Sequence, residues 1–282
     1  SKVASSAHIE YHARIIAQKY LARELISFTA MIQGKAFDET LDVEDLMQEA
    51  EGKLFEISQR NVKKDVTQIN PVIKDAMEML QKAALQKEGL SGLRTGFEGL
   101  DKMTSGWQNS DLIIIAARPA MGKTAFVLSM AKNMAVNFNT PVALFSLEMS
   151  NVQLVNRLIV NVCEIPGEKI KSGRLESYEW GQLDFKIKEL YDAPIFVDDT
   201  PSLSVFELRT KARRLVREHG IKCIIIDYLQ LMNASGMNFG SREQEVSTIS
   251  RSVKGLTKEL NIPILALSQL NPSVEASQGV EG

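Results

Sequence analysis

From Thr95 onward, five short apolar, β-rich runs alternate with helical patterns: Leu112–Ala117, Val142–Ser146, Ile195–Val197, Cys223–Ile226 and Ile264–Leu267. Strands separated by helices imply a mostly parallel sheet covered on both faces, an α/β architecture. None of the apolar runs approaches the ~18 residues of a membrane span, and the N-terminus has no signal-peptide core, so no membrane partner is expected. The chain has 282 residues, 44% of them hydrophobic. At roughly 150 residues per domain, that is one large domain or two small ones with enough apolar material for a core. Cys163 and Cys223 are the only cysteines. They argue against a disulfide framework or a zinc site and fit a reducing, cytoplasmic location. The net charge of −2 excludes a uniformly basic nucleic-acid binder, though not a local basic channel.

The first third of the chain reads as all-α. Ser6–Gln33 has no interior Gly or Pro, and Ile9, Ile16, Leu21, Leu25, Phe28 and Ile32 recur at helical steps, with Gly34 as a C-terminal stop. Asp42 reads as the N-cap of a second helix whose stripe is Val43, Leu46, Met47, Ala50, Leu54 and Ile57. The two predict an antiparallel hairpin serving as a docking element. Polar Asn61–Gln68 and glycine-containing Gln86–Thr95 read as linkers. Between them, Asn70-Pro71 opens a helix over 70–86 with Ile73, Ala76, Met77, Leu80 and Ala84 on one face. A lone helix of that length is marginal in water, so its stripe needs a partner. A neighbouring subunit and the same chain's own domain fit the pattern equally. The expected organisation is a hairpin over 1–62, a linker over 63–93 and the α/β domain over 94–282.

The strongest chemical signal is Ala117-Arg118-Pro119-Ala120-Met121-Gly122-Lys123-Thr124. It follows a predicted strand, and Ala125–Asn133 continues as a helix, which is the context of a phosphate-binding P-loop. Lys123 would reach the β- and γ-phosphates, and Thr124 would ligate Mg²⁺. Ala117 departs from the usual opening glycine. The run Cys223–Ile226 ends in Asp227, which places a carboxylate at the C-terminal edge of the sheet, where ligands bind in open α/β folds; it would hold Mg²⁺ through a water. Glu148, just past Val142–Ser146, reads equally as a carboxylate polarising an attacking water and as an acidic first-turn residue of the next helix. Gln269 would bond a γ-phosphate oxygen and report the nucleotide state, or is simply a polar residue at a strand end.

Taken together, Thr95-Gly96-Phe97, Leu100-Asp101, Gly106, the Ala117–Thr124 loop, Ser146-Leu147-Glu148-Met149-Ser150, Ile226-Asp227-Tyr228-Leu229-Gln230-Leu231-Met232 and Ser268-Gln269-Leu270 resemble, in the same order, the bacterial replicative DNA helicases of the DnaB type. Alanine is also accepted at the Ala117 position in that family. The resemblance implies a RecA-like P-loop core and a ring-shaped homohexamer. It implies ATP hydrolysis with Mg²⁺ driving 5′ to 3′ translocation on single-stranded DNA to unwind duplex at the replication fork. It gives Glu148 the water-activating role, Lys123 and Thr124 to phosphates and magnesium, Asp227 to the magnesium shell and Gln269 to γ-phosphate sensing. Arg157 matches a family arginine facing the nucleotide. The linker helix would dock on the adjacent subunit, the hairpin belongs to the part contacted by primase, and a helicase loader is a further expected partner. The expected location is cytoplasmic, at the nucleoid.

The resemblance also reads the chain as a fragment or an incompletely ordered chain. The globular part of the N-terminal domain would precede Ser1, and the trans-acting basic residues and main DNA loop would follow Gly282, with Pro272 standing where a basic residue is expected. For DNA contact, Asn233–Arg242 reads as a loop leaving the nucleotide edge, with Arg242 and Lys254 as the residues that would touch backbone phosphates; a plain surface loop fits the pattern at least as well. The run Arg209, Lys211, Arg213, Arg214 and Arg217 reads as a solvated helix face. Two other readings are a RecA-like recombination or repair ATPase, which would share the P-loop but lack the Tyr228–Met232 extension and the hairpin-plus-linker preface, and a non-enzymatic assembly piece that hydrolyses little on its own.

Overall fold

The computed structural model describes residues 6–60, 69–85, 90–234 and 240–270. The chain divides into two compact units, Ser1–Gln68 with Ala234–Gly240 and Ile69–Asn233 with Ser241–Gly282. In the first, α1 (Ser6–Ala36) packs on α2 (Val43–Arg60). At 1.5 Å per residue α1 is ~46 Å long and α2 ~27 Å, so α2 can line only part of its partner. Accordingly Leu21, Leu25, Phe28 and Ile32 are half-buried, whereas Ile16 is 69% exposed and leaves the expected stripe. In α2, Ile57 is buried while Val43 and Met47 are exposed. Gly34 does not stop α1, which runs on through Ala36. Lys35 in that extra turn bonds Glu49 of α2 at 2.5 Å, and a cation there suits the helix C-terminus.

The second unit opens with α3 (Ile69–Leu85). Pro71 sits in its first turn, where backbone N–H groups have no helical acceptor. The linker stretches 61–68 and 86–89, and Pro272, lie outside the described residues. Next come α4 (Glu98–Thr104), β1 (Leu112–Ala117), α5 (Lys123–Lys132) with a π-turn over Asn133–Asn137, and β2 (Val142–Ser146). Then follow α6 (Asn151–Cys163), α7 (Gly167–Ser172), α8 (Ser177–Lys186), α9 (Lys188–Tyr191), β3 (Ile195–Asp198) and α10 (Val205–His219). The unit closes with β4 (Cys223–Asp227), a 3₁₀ turn over Leu229–Leu231, α11 (Arg242–Leu260) and β5 (Ile264–Gln269). Among the described residues, no helix is long and apolar enough to cross a membrane.

The five strands form one parallel sheet in the order β1-β5-β4-β2-β3. Every residue of β2 and β4 is buried, as expected of central parallel strands, while the edge strands β1 and β3 keep partial exposure. Val142, Leu144, Cys223, Ile225, Leu265 and Leu267 share one core with Val127, Met130 and Met134 of α5 and its π-turn and with Leu154 and Leu158 of α6. The alternate residues Ile224, Ile226, Ile264 and Ala266 are equally buried on the opposite face. Capping ends the helices where the chain must turn back: Ser150, Ser204 and Ser241 each accept a backbone N–H, and Gly220 closes α10 in the left-handed conformation.

The basic run on α10 is not a plain solvated face. Arg209 and Arg213 both pair with Glu259 of α11, and Lys211 bonds Asp198 at the end of β3. One glutamate of α11 is thus shared by two arginines of α10, which fasten the two helices together.

Candidate nucleotide site

β1 and β5 end together, Ala117 opposite Gln269, and β2 and β4 end together, Ser146 opposite Asp227. Parallel register thus brings four segments distant in sequence to one edge of the sheet. The loop after β1 turns through Ala120 (φ 62°) and Gly122 (φ 85°). Left-handed residues beside right-handed ones fold a backbone into an anion-binding concavity, here at the N-terminus of α5. Lys123 is the first residue of that helix, and its ammonium bonds the Ala117 and Arg118 carbonyls at 2.7 and 3.1 Å. The Thr124 hydroxyl donates to Asp227 Oδ2 at 2.8 Å, joining residues 103 apart in sequence. Asp227 is 3% exposed. Burial pushes its carboxyl above the usual carboxylate range and Glu148 adds to the rise, against the Thr124 bond and the Lys123 and Arg157 charges. A cation beside it would relieve that cost.

Glu148 stands in the short link between β2 and α6. The first-turn alternative for this residue does not hold: α6 starts at Asn151, with Ser150 as its cap and Gln153 completing a capping box. The link is held on both sides, Leu147 N–H donating to the Asp227 carbonyl at 2.8 Å and Met149 N–H to Ser146 Oγ at 3.1 Å. Its carboxylate faces a cleft of about 430 Å³ lined also by Lys123, Thr124, Arg157, Asp227 and Gln269. Pro119, Ala120 and Gly122 of the loop complete the wall; Met121 is 72% exposed, and Ala117 contributes its carbonyl to Lys123. Met149 and Tyr228 also line the cleft. Sequence reasoning gave them no role, although each adjoins an assigned acid.

Other motif residues hold the scaffold. The Asp101 carboxylate accepts from the Thr95 and Gly96 N–H groups, and Phe97 stacks on Phe126 of α5 with ring centroids 4.9 Å apart. Gly106 (φ 78°) lies so close to Leu93 that an added Cβ would sit 2.6 Å from its carbonyl oxygen. The two proposed DNA contacts fall elsewhere. Arg242 is the first residue of α11, where it pairs with Glu245 and donates to the Gln230 and Met232 carbonyls. Lys254 bonds the Ser110 carbonyl at 2.9 Å, ahead of β1 and at the sheet edge opposite the cleft. Both charges bond the protein itself and neither lines the cleft.

The family model of the DnaB-like helicase C-terminal domain matches residues 92–280. The chain belongs to the DnaB-like helicases. It is 46% identical over 285 residues to the replicative DNA helicase DnaB of Rhodothermus marinus, covering 99% of this chain and 30% of that protein. With the DnaB of Geobacillus stearothermophilus it shares 42% identity over 276 residues, 98% of this chain and 61% of the relative. The chain thus spans between about a third and three-fifths of these DnaB proteins. Among solved structures, an isolated ATPase domain superposes with a TM-score of 0.69 at 36% identity, covering 77% of this chain and 76% of that one. A DnaB-like replicative helicase, solved to describe its interactions with primase, superposes with a TM-score of 0.68 at 33% identity over 99% of this chain and 65% of that one. DnaB-like membership agrees with the parallel sheet and its helical preface, and with a nucleotide-dependent protein.

Proposed function

We propose that this chain is the motor portion of an ATP-driven replicative DNA helicase, acting as a homohexameric ring that moves 5′ to 3′ on single-stranded DNA. The observation that carries the reading is the convergence of Lys123, Thr124, Glu148, Asp227 and Gln269 on one cleft at the C-terminal edge of the sheet. The loop N–H groups and the α5 dipole would hold the β- and γ-phosphates of ATP, with Lys123 exchanging its carbonyl partners for phosphate oxygens. The Thr124 hydroxyl and the buried Asp227 carboxylate form a hard oxygen set that fits Mg²⁺, which supplies charge neutralisation when bound. Glu148 orients a water and takes its proton as the oxygen attacks the γ-phosphorus, ADP oxygen leaving in line. Gln269 bonds the γ-phosphate, and Arg157 adds positive charge to the same wall.

The linker helix supports assembly. Ile73, Met77 and Leu80 of α3 are 51, 52 and 64% exposed, an apolar stripe that a neighbouring subunit would cover. Primase and a loader are proposed partners of the helical preface, the former by likeness to the helicase solved for its primase interactions. The proposed location is the cytoplasm, at the nucleoid.

The test is strand separation on a forked duplex with a 5′ single-stranded tail. ATP-dependent unwinding there, and none on a fork with only a 3′ tail, is the expected result. ATP hydrolysis that single-stranded DNA stimulates, without unwinding of either fork, would point instead to a recombination-type ATPase.

A further inference from the structure

β4 and β5 run side by side only to Ile226, which pairs with Ala266. Past Asp227 the β4 chain turns away into the 3₁₀ turn Leu229–Leu231, while β5 continues through Ser268 and Gln269. A backbone flank is thereby left without a strand, and unpaired amide groups there would be costly. The Gln230 side chain fills it. Its Nε2 donates to Ser268 Oγ at 2.7 Å and to the Gln269 carbonyl at 3.2 Å, while its Oε1 accepts the Gln269 N–H at 3.4 Å. One side-chain amide thus engages both polar backbone groups of Gln269, as the missing strand would have done. On the other flank Gln269 is paired with Ala117, the first residue of the phosphate loop, and the Ala117 carbonyl accepts the Leu270 N–H at 3.2 Å. Gln269 is therefore held between the phosphate loop and Gln230.

The backbone of Gln230 is held in turn. Arg242, at the start of α11, donates to the Gln230 and Met232 carbonyls. These bonds tie together the two ends of segment 233–242 and connect them to the amide that grips Gln269. We propose that Gln230 is a positioning residue that couples the nucleotide cleft to the start of α11: when the Gln269 side chain engages the γ-phosphate, its displaced backbone moves the Gln230 amide, and Arg242 passes that movement to the chain on either side of segment 235–239. The coupling rests on the helicase reading above, which supplies the triphosphate and the single-stranded DNA whose binding it links. It requires no contact of Gln230 with either ligand, and coupling of this kind is reciprocal.

The test uses the full chain with oligo(dT), ATP and ADP. Two ratios are read: ATP hydrolysis with and without oligo(dT), and oligo(dT) affinity with a non-hydrolysable ATP analogue against ADP. Gln230→Ala is expected to lower both ratios at least fivefold, whereas a purely architectural residue would lower melting temperature and leave the ratios alone. Arg242→Ala, which cuts the other link, is expected to lower the same ratios and serves if Gln230→Ala does not fold. Unchanged ratios in a folded variant, beside a wild type that oligo(dT) stimulates, would overturn the coupling alone. A wild type that oligo(dT) neither binds nor stimulates would overturn the helicase reading beneath it.

Discussion

The two edges of the sheet each present a lysine ammonium to a backbone carbonyl, but one lysine lines a cleft and the other closes a turn. At the C-terminal edge Lys123 bonds Ala117 and Arg118 within a cleft that also holds two carboxylates, a hydroxyl and an amide. At the opposite edge Lys254 bonds Ser110, whose carbonyl also accepts from the Thr257 hydroxyl at 2.8 Å, and Asp111 lies 3.5 Å away. There the polar groups satisfy one another and close a turn against α11. At the phosphate edge they are arranged around a cavity instead, and the Asp227 carboxyl is held where ionising it is unfavourable. Polar groups that complete each other make a clamp, and polar groups that need a third party make a binding site.

Lys123→Ala should produce the largest effect, a loss of ATP turnover of about a thousandfold or more, because it removes the cation that the phosphate loop itself holds at the start of α5. Steady-state phosphate release checks it, and turnover within tenfold of wild type would erase the contrast between the edges. Next comes Glu148→Gln, expected to slow hydrolysis by roughly 10²–10⁴-fold while nucleotide affinity measured by titration stays close to wild type. An affinity loss as large as the rate loss would assign Glu148 to binding rather than to water activation.

Asp227→Asn should separate function from stability. A carboxyl whose folded pKa is raised favours folding fully only below its unfolded value, and that contribution is lost as pH rises through the folded value. At neutral pH the wild type therefore carries the cost of a buried charge, which the amide does not. The variant should melt about 2–4 °C higher than wild type at pH 7 without nucleotide, with the gap closing as pH falls toward 4, and should lose Mg²⁺-dependent turnover. Melting curves across pH decide it; a variant less stable at pH 7 would mean that the Thr124 bond outweighs burial. The smallest effect belongs to Lys254→Ala, about 1 kcal/mol of stability with ATP turnover within twofold of wild type. A large loss of turnover would show that the far edge reaches the site after all.

A second contrast, between α3 and α6, shows how much of this was legible beforehand. Both carry an apolar face at helical spacing. On α6, Leu154, Leu158 and Val162 are buried against the sheet unit, while on α3 Ile73, Met77 and Leu80 remain exposed. Periodicity reports that a face needs covering and is silent on what covers it. Likewise the sequence pattern offers Asp227, and Glu148 as one of two readings, but not the 2.8 Å bond between Thr124 and Asp227, nor the place of the Gln230 side chain, which depends on where β4 leaves β5. Spacing places Lys254 on α11 without saying which end of the sheet its side chain reaches; the structure sets it beside Ser110.

What the residues determined unaided was local and chemical. The apolar runs specify strands that must be buried on both faces. The glycine, lysine and threonine after the first run specify a loop able to wrap an anion, and the acid ending Cys223–Ile226 specifies a carboxylate at a strand terminus. These follow from backbone freedom, side-chain volume and charge, which each residue carries with it. Strand order and register were decided only in three dimensions. The parallel order β1-β5-β4-β2-β3 sets Ala117 opposite Gln269 and Ser146 opposite Asp227, and so collects Lys123, Glu148, Asp227 and Gln269 at one edge. Which strand pairs with which is settled by packing the helices over both faces at once, a balance over the whole core that no single segment encodes.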